Sequence, residues 1–193
     1  SIEVVNALGQ PANITGDSTN IGLINTLVSR AVDGGTNRPI TATINGDYAL
    51  LNTLNTSATR QDLITLTVND DINKTKADAL DAKTHGTFKV SSITEDLTDL
   101  GTLHTDSTIN ISTADITVTG SVNKTNVDTL LSYTSGTLTI QTLSEDKSDI
   151  DIIGKNDYAS DHAKVKYNRA SLVGATINVS DVDNKTEAER IAG

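Results

Sequence analysis

The carboxylates are the side chains with the most scope for chemistry. The chain carries 25 Asp and Glu against 15 Lys and Arg. Several acids fall in short oxygen-rich runs: Asn69-Asp-Asp71, Asp149-Ile-Asp151 with Asn156 and Asp157 beyond it, and Asp181-Val-Asp-Asn184. Asp-rich turns of this make-up suit hard cations. Asp70, Asp71, Asp149, Asp151, Asp157, Asp181 and Asp183 are therefore candidate calcium ligands, and calcium is the only cofactor the residues suggest. The spacing is not that of an EF-hand. After Asp149 and Asp151 the third ligand position holds Ile153, and the bidentate Glu is lacking. Turn formation and solubility account for the same residues without a metal.

Other chemistry is sparse. His85, His104 and His162 stand alone, with no paired-His spacing, and no nucleophile elbow or phosphate-binding glycine motif is present. Many of the acids recur with an internal repeat. That favours helix caps or a solvated face over an acid/base dyad, and no enzymatic activity is expected. Tyr48, Tyr133, Tyr158, Tyr167 and Phe88 are scattered, whereas a sugar site needs aromatics gathered for stacking. Tyr158 and Tyr167, with His162, Lys164, Lys166 and Arg169, make the one local departure in chemistry. If any segment binds a ligand, this one is the candidate.

Composition limits the elements that could position such residues. Hydrophobic residues are 36% and aromatics 3%, with one Phe and no Trp, so the core must be aliphatic. A formal net charge of -10 argues against nucleic acid, which needs clustered Lys and Arg. It argues equally against anionic membrane surfaces. No apolar run approaches the roughly 20 residues of a spanning helix, so no membrane insertion is expected. Cys is absent, which removes disulfides and thiolate metal sites. The 30 Thr, with abundant Ile and Val, favour strands over disorder. A chain that opens on Ser1 and has no Met reads as a processed product or an excised piece of something longer.

Self-similarity at a shift of 50 residues organises the chain. Leu66-Thr-Val68 returns as Ile116-Thr-Val118. Ile72-Asn-Lys-Thr-Lys-Ala-Asp-Ala-Leu80 returns as Val122-Asn-Lys-Thr-Asn-Val-Asp-Thr-Leu130. Gly86-Thr-Phe-Lys-Val90 returns as Gly136-Thr-Leu-Thr-Ile140. Ile177-Asn-Val179 and Asn184-Lys-Thr186 restart the unit at a shift of 61, while Ile40–Ile44 and Leu50–Leu54 resemble its second half. The reading is one repeat domain over 1–193. It comprises an irregular segment 1–20, a partial repeat 21–60, full repeats 61–110 and 111–153, an irregular insertion 154–174 and a partial repeat 175–193.

Within each unit, strand patterns alternate with short helical ones. Leu66/Val68, Phe88/Val90 and Leu138/Ile140 form an aliphatic face against Thr, Lys or Asn. Thr75 with Asp78 and Thr125 with Asp128 have capping-box spacing, as do Ser92 with Glu95 and Thr142 with Glu145, before a second helical turn. Gly86 and Gly136 sit where a helix should stop. The Asn-Lys-Thr triplets at 73, 123 and 184 are glycosylation sequons, yet a helix start explains them better. Strand, short helix and parallel neighbour give an α/β solenoid with a parallel sheet on one side. A right-handed β-solenoid is the main rival, and a β-sandwich array ranks below it. Outward Thr rows (Thr65/Thr67, Thr117/Thr119, Thr137/Thr139) are broken by Lys89, Lys166 and Asn178.

Residues 60–153, with Ala-Asp-Ala-Leu-Asp-Ala-Lys-Thr at 77–84 followed by Gly-Thr-Phe-Lys-Val, resemble repeats of very large secreted bacterial surface proteins. These are the cyanobacterial and other Gram-negative arrays often exported by type I secretion. The resemblance implies an extracellular, cell-surface location and a structural or adhesive role, as a filament or surface layer, with calcium common. Self-association through the solenoid ends, or through Ile2-Glu-Val-Val-Asn6 pairing with a neighbour's edge, is the expected partnership. A surface polysaccharide is a further candidate partner. The alternative is a carbohydrate- or ice-binding solenoid.

Overall fold

The computed structural model describes residues 2–3, 13–33, 39–58, 61–146 and 169–179. The chain divides into two compact units: Ser1–Ile93 with Thr102–Ile111, and Thr94–Gly101 with Ser112–Gly193.

The first unit opens with two short strands, β1 (Ile2–Glu3) and β2 (Asn13–Thr15), then helix α1 (Ser18–Asp33). Strand β3 (Ile40–Gly46) leads through the four-residue helix α2 (Tyr48–Leu51) to β4 (Leu63–Ile72). Helix α3 (Lys74–Asp81) and strand β5 (Phe88–Asp96) follow, then α4 (Leu97–Thr105) and β6 (Ile109–Asn110), with Thr94–Gly101, the end of β5 and the start of α4, belonging to the second unit. The strand order is β1-β3-β4-β5, with β2 also beside β3 and β6 beside β5. The second unit contains β7 (Asp115–Val122), α5 (Lys124–Tyr133), β8 (Leu138–Glu145), β9 (Ala170–Ser171) and β10 (Thr176–Val179). Here the order is β7-β8-β10, with β9 also beside β8. The fold class is α/β: a parallel, open arrangement of strands with interspersed helices.

Register explains why the repeat has its length. Ile44 faces Leu66, Leu66 faces Phe88, and Phe88 faces Ile109. In the second unit Ile116 faces Leu138 and Val118 faces Ile140. Every one of these side chains is buried. Parallel neighbours must present the same face at the same height, because a slip of one residue would turn the aliphatic rank to water. The helices close the other side with Leu51, Ala77 and Leu80 in the first unit and Val127, Leu130 and Leu131 in the second.

Local details depart from the sequence reading in informative ways. The helix caps sit two residues upstream of the expected Thr. Asn73 accepts from Lys76 N at 3.0 Å, and Asn123 with Asn126 forms a reciprocal capping box. Capping by Ser92 and by Thr142 does not occur, because both residues lie inside strands. The inward partners Ile72–Ile93 and Val122–Leu143 keep those strands going. Helix α4 instead starts after Asp96, whose Oδ1 accepts from Asp99 N at 2.9 Å. The run Asn69-Asp-Asp71 is not a turn either. It lies within β4, at a bulge where Asn69 and Asp70 oppose one residue of β5. The same irregularity recurs in β7 at Thr119 and Gly120, where Gly120 takes φ +76°. Ile2–Glu3, expected to reach another molecule, pairs with β3 of its own chain. Ile177 faces Leu143 of β8, and Ala170 of β9 faces Leu138 as Ile109 of β6 faces Phe88.

Gly86 and Gly136 stand just before β5 and β8, at the same place in the repeat. A Cβ at Gly86 would meet Ile64 O at 2.8 Å, and one at Gly136 would meet Ala114 O more closely still. Gly22, in α1, faces open space. Gly86→Ala and Gly136→Ala should each lower stability by more than about 2 kcal/mol, while Gly22→Ala should raise it by about 0.5–1 kcal/mol. Urea denaturation of the three variants checks the order.

Candidate functional site

The glycines that forbid a Cβ belong to a corner motif, Thr84-His-Gly86 and Thr134-Ser-Gly136, copied at the 50-residue interval. Each threonine is buried. Thr84 Oγ1 donates to Ile64 O at 2.5 Å and accepts from Ile64 N at 2.9 Å and Gly86 N at 2.8 Å. Thr134 Oγ1 donates to Ala114 O at 2.5 Å and accepts from Gly136 N at 2.9 Å. In both copies a buried hydroxyl joins the strand about to begin to the start of the strand before it, and that of Thr84 uses its full capacity of one donated and two accepted bonds. Removing it would orphan backbone groups in a dry interior.

Asp62 plays a related part at the entrance to β4 and is fully buried. Its Oδ1 accepts from Ile40 N at 2.8 Å and its Oδ2 from Ser57 N at 2.7 Å. Its carbonyl accepts from His85 N at 2.6 Å. The preceding Gln61 takes φ 62°, the left-handed region disfavoured for a residue with a Cβ. That local strain accompanies a carboxylate aimed inward at backbone donors.

The two described candidate calcium ligands each have a backbone or side-chain task. Asp70 Oδ1 accepts from Tyr48 N at 2.7 Å, so the bulge of β4 caps the first turn of α2. Asp71 Oδ1 accepts from Ser92 Oγ at 2.8 Å on the adjacent strand. Asp149, Asp151, Asp157, Asp181 and Asp183 lie outside the described residues. Among the described residues, no group of three or more His, Asp and Glu is placed to hold a metal ion.

The segment singled out for its Tyr, His and Lys residues also lies outside the described residues, except for its last member. Arg169 directs its guanidinium at the end of α5. Nη2 donates to Leu131 O at 3.1 Å, and Nη1 donates to Thr134 O and to Gly136 O, the latter at 3.1 Å. A cation against the C-terminal carbonyls of a helix is favourable through both hydrogen bonds and the helix dipole. Elsewhere Lys83 Nζ donates to Leu54 O at 2.9 Å. Asn25, in α1, clasps the chain after α2 by donating to Thr53 O at 2.9 Å and accepting from Asn55 N at 2.7 Å. Lys76 Nζ lies 5.2 Å from the centre of the Tyr48 ring. His85 and His104 are exposed, and Phe88 is wholly buried in the aliphatic rank.

The outward faces carry partial Thr rows. Thr43 faces Thr65 in the first unit, and Thr117 faces Thr139 and then Ser171 in the second. The next row runs Asn45, Thr67, Lys89 and Asn110. Sequence reasoning saw these rows and the Gly positions. It missed Asp62 and the buried role of Thr84 and Thr134, although the copied Thr-x-Gly was a visible signal for the last two, and it singled out Arg169 as part of a ligand-binding candidate, not as a partner of the carbonyls at the end of α5.

No family model, curated protein or solved structure matches the chain. Among the described residues, no helix is long and apolar enough to cross a membrane.

Thr56 supplies an internal control for the hydroxyl argument. Its Oγ1 is buried and has no hydrogen-bond partner. Thr56→Val should be neutral or stabilising, whereas Thr84→Val and Thr134→Val should each cost about 1–3 kcal/mol and Asp62→Ala about 2–5 kcal/mol. Equilibrium unfolding in urea compares the four. A Thr84→Val cost no larger than that of Thr56→Val would contradict the role assigned to the corner.

Proposed function

We propose that the chain is a structural repeat module of an extracellular surface protein, a solenoid of strand–helix coils that self-associates into a filament or layer. The observation that carries this reading is the corner motif repeated at Thr84 and Thr134. Buried polar groups in it serve the backbone of the adjacent strand and build a scaffold rather than a reaction site. Aliphatic ranks of identical phase support the same reading, since stacked repeats gain stability from each added neighbour. The acidic surface and the resemblance to secreted repeat arrays favour a location outside the cell. Calcium would enter through the Asp-rich runs at 149–157 and 181–183. Self-association would use strands with a partner on one side only among the described residues, β1 in the first unit and β10 in the second.

A second reading is binding of carbohydrate or ice. It draws on the outward pairs Thr43/Thr65 and Thr117/Thr139, which give each unit a regular hydroxyl-bearing patch.

Negative-stain microscopy of the purified chain, with and without a calcium chelator, tests the first reading. Filaments or sheets are expected, and their loss on chelation would assign a metal to the Asp-rich runs. A monodisperse monomer at every concentration and calcium level would contradict assembly. Activity in a glycan array or an ice-recrystallisation assay by such a monomer would favour the second reading.

A further inference from the structure

Thr108 stands between two carboxylates. Its Oγ1 lies 2.6 Å from Asp81 Oδ1 and 2.7 Å from Asp106 Oδ1. A hydroxyl has one proton to give. It can satisfy one of these oxygens, and the other short contact needs a proton of its own. Asp106 is exposed and already accepts from Thr108 N at 2.9 Å. Asp81 is half-buried and ends α3, where the negative pole of the helix opposes a carboxylate.

We propose that Asp81 holds the proton: its carboxyl O–H donates to Thr108 Oγ1, which in turn donates to Asp106 Oδ1. This clasp ties the end of α3 to the turn leading into β6 and loosens when the proton leaves. The clasp belongs to the first full repeat alone of the two, because the position 50 residues beyond Asp81 is Leu131.

The surrounding charges agree with that assignment. Burial pushes the Asp81 carboxyl above its ordinary 3.8; the Thr108 bond opposes this, and the nearby Asp106 and Asp78 add to it. The Thr108 hydroxyl and N–H hold Asp106 below 3.8 against some burial, helped by Ile109 N–H and Lys74. Lys74 is paired with Asp78 at 2.6 Å. Lys83, two residues beyond Asp81, bonds Leu54 O, and His104 precedes Asp106 by two residues at the end of α4.

The raised group stabilises the fold when protonated, and that contribution disappears as pH rises through its folded pKa. The lowered group contributes above 3.8 and is lost as pH falls through its own folded pKa. The clasp is therefore strongest between the two values, in mild acid. Carboxyl NMR titration of the full chain should find Asp81 above 3.8 and Asp106 below it. Asp81→Asn supplies a permanent donor, so it should melt roughly 2–4 °C above the parent at neutral pH and lose that advantage near pH 4. Thr108→Val should move the Asp106 titration upward. An Asp81 that titrates at or below its ordinary value, an Asp81→Asn variant with no pH-dependent gain, or an Asp106 titration unmoved by Thr108→Val would overturn the proposal.

Discussion

Parallel neighbours that must agree in phase are the constraint on which the rest of the structure depends. Each strand offers one aliphatic face. The next strand, reached by a helical or irregular crossover, must offer the same face at the same height. Ile44, Leu66, Phe88 and Ile109 form one such rank, and Ile116 with Leu138 begins another. Because the side-chain period of a strand is two, a one-residue slip in the pairing would invert the face; the connections take up differences in length, since Phe88 follows Leu66 by 22 positions and Ile109 follows Phe88 by 21. Extra residues are absorbed where they do least harm, in the bulges at Asn69–Asp70 and Thr119–Gly120. An almost wholly aliphatic core suffices because the ranks are continuous and each side chain lies against its own kind.

A parallel crossover must also re-enter the sheet at a sharp corner, and that corner is where backbone polar groups would be stranded. The Thr-x-Gly motif meets this need twice. The glycine lets the backbone approach the carbonyl of the preceding strand, and the threonine hydroxyl takes up the groups left over. Asp62 does comparable work before β4 with a carboxylate, and Arg169 supplies carbonyl-directed donors after α5. These side chains would look like chemistry in a sequence, yet they face the backbone.

The alternation in β4, β5, β7 and β8 was legible because tertiary pairing and local pattern agree there. The starts of α3 and α5 were legible as well, through Asn73-Lys-Thr and Asn123-Lys-Thr, although the capping atom belongs to Asn and not to Thr. The continuation of β5 and β8 past Ser92 and Thr142 was hidden, since a cap-like spacing there yields to the inward pairing of Ile93 and Leu143. Helix α1 escaped notice even though Ile21, Ile24 and Val28 fall on one helical face, because a polar setting masks so sparse a stripe. Asp70 resembled a cation ligand, and only the three-dimensional bulge aims it at the N–H of Tyr48. Asp62 left no signal, and Arg169 stood out only as one charge in a mixed segment, since the bonds to Ile40 N and Leu131 O span chain separations that no local pattern encodes.

Engineered cross-linking tests the register most directly, in a chain that has no cysteine of its own. Residues facing one another on adjacent parallel strands are close enough for a disulfide, and residues offset by two positions are not. Thr43→Cys with Thr65→Cys, and Thr117→Cys with Thr139→Cys, should oxidise readily within one molecule, while Thr43→Cys with Thr67→Cys should not. Efficient bridging of the offset pair, or none in the matched pairs, would contradict the parallel, in-phase stacking from which everything else is derived.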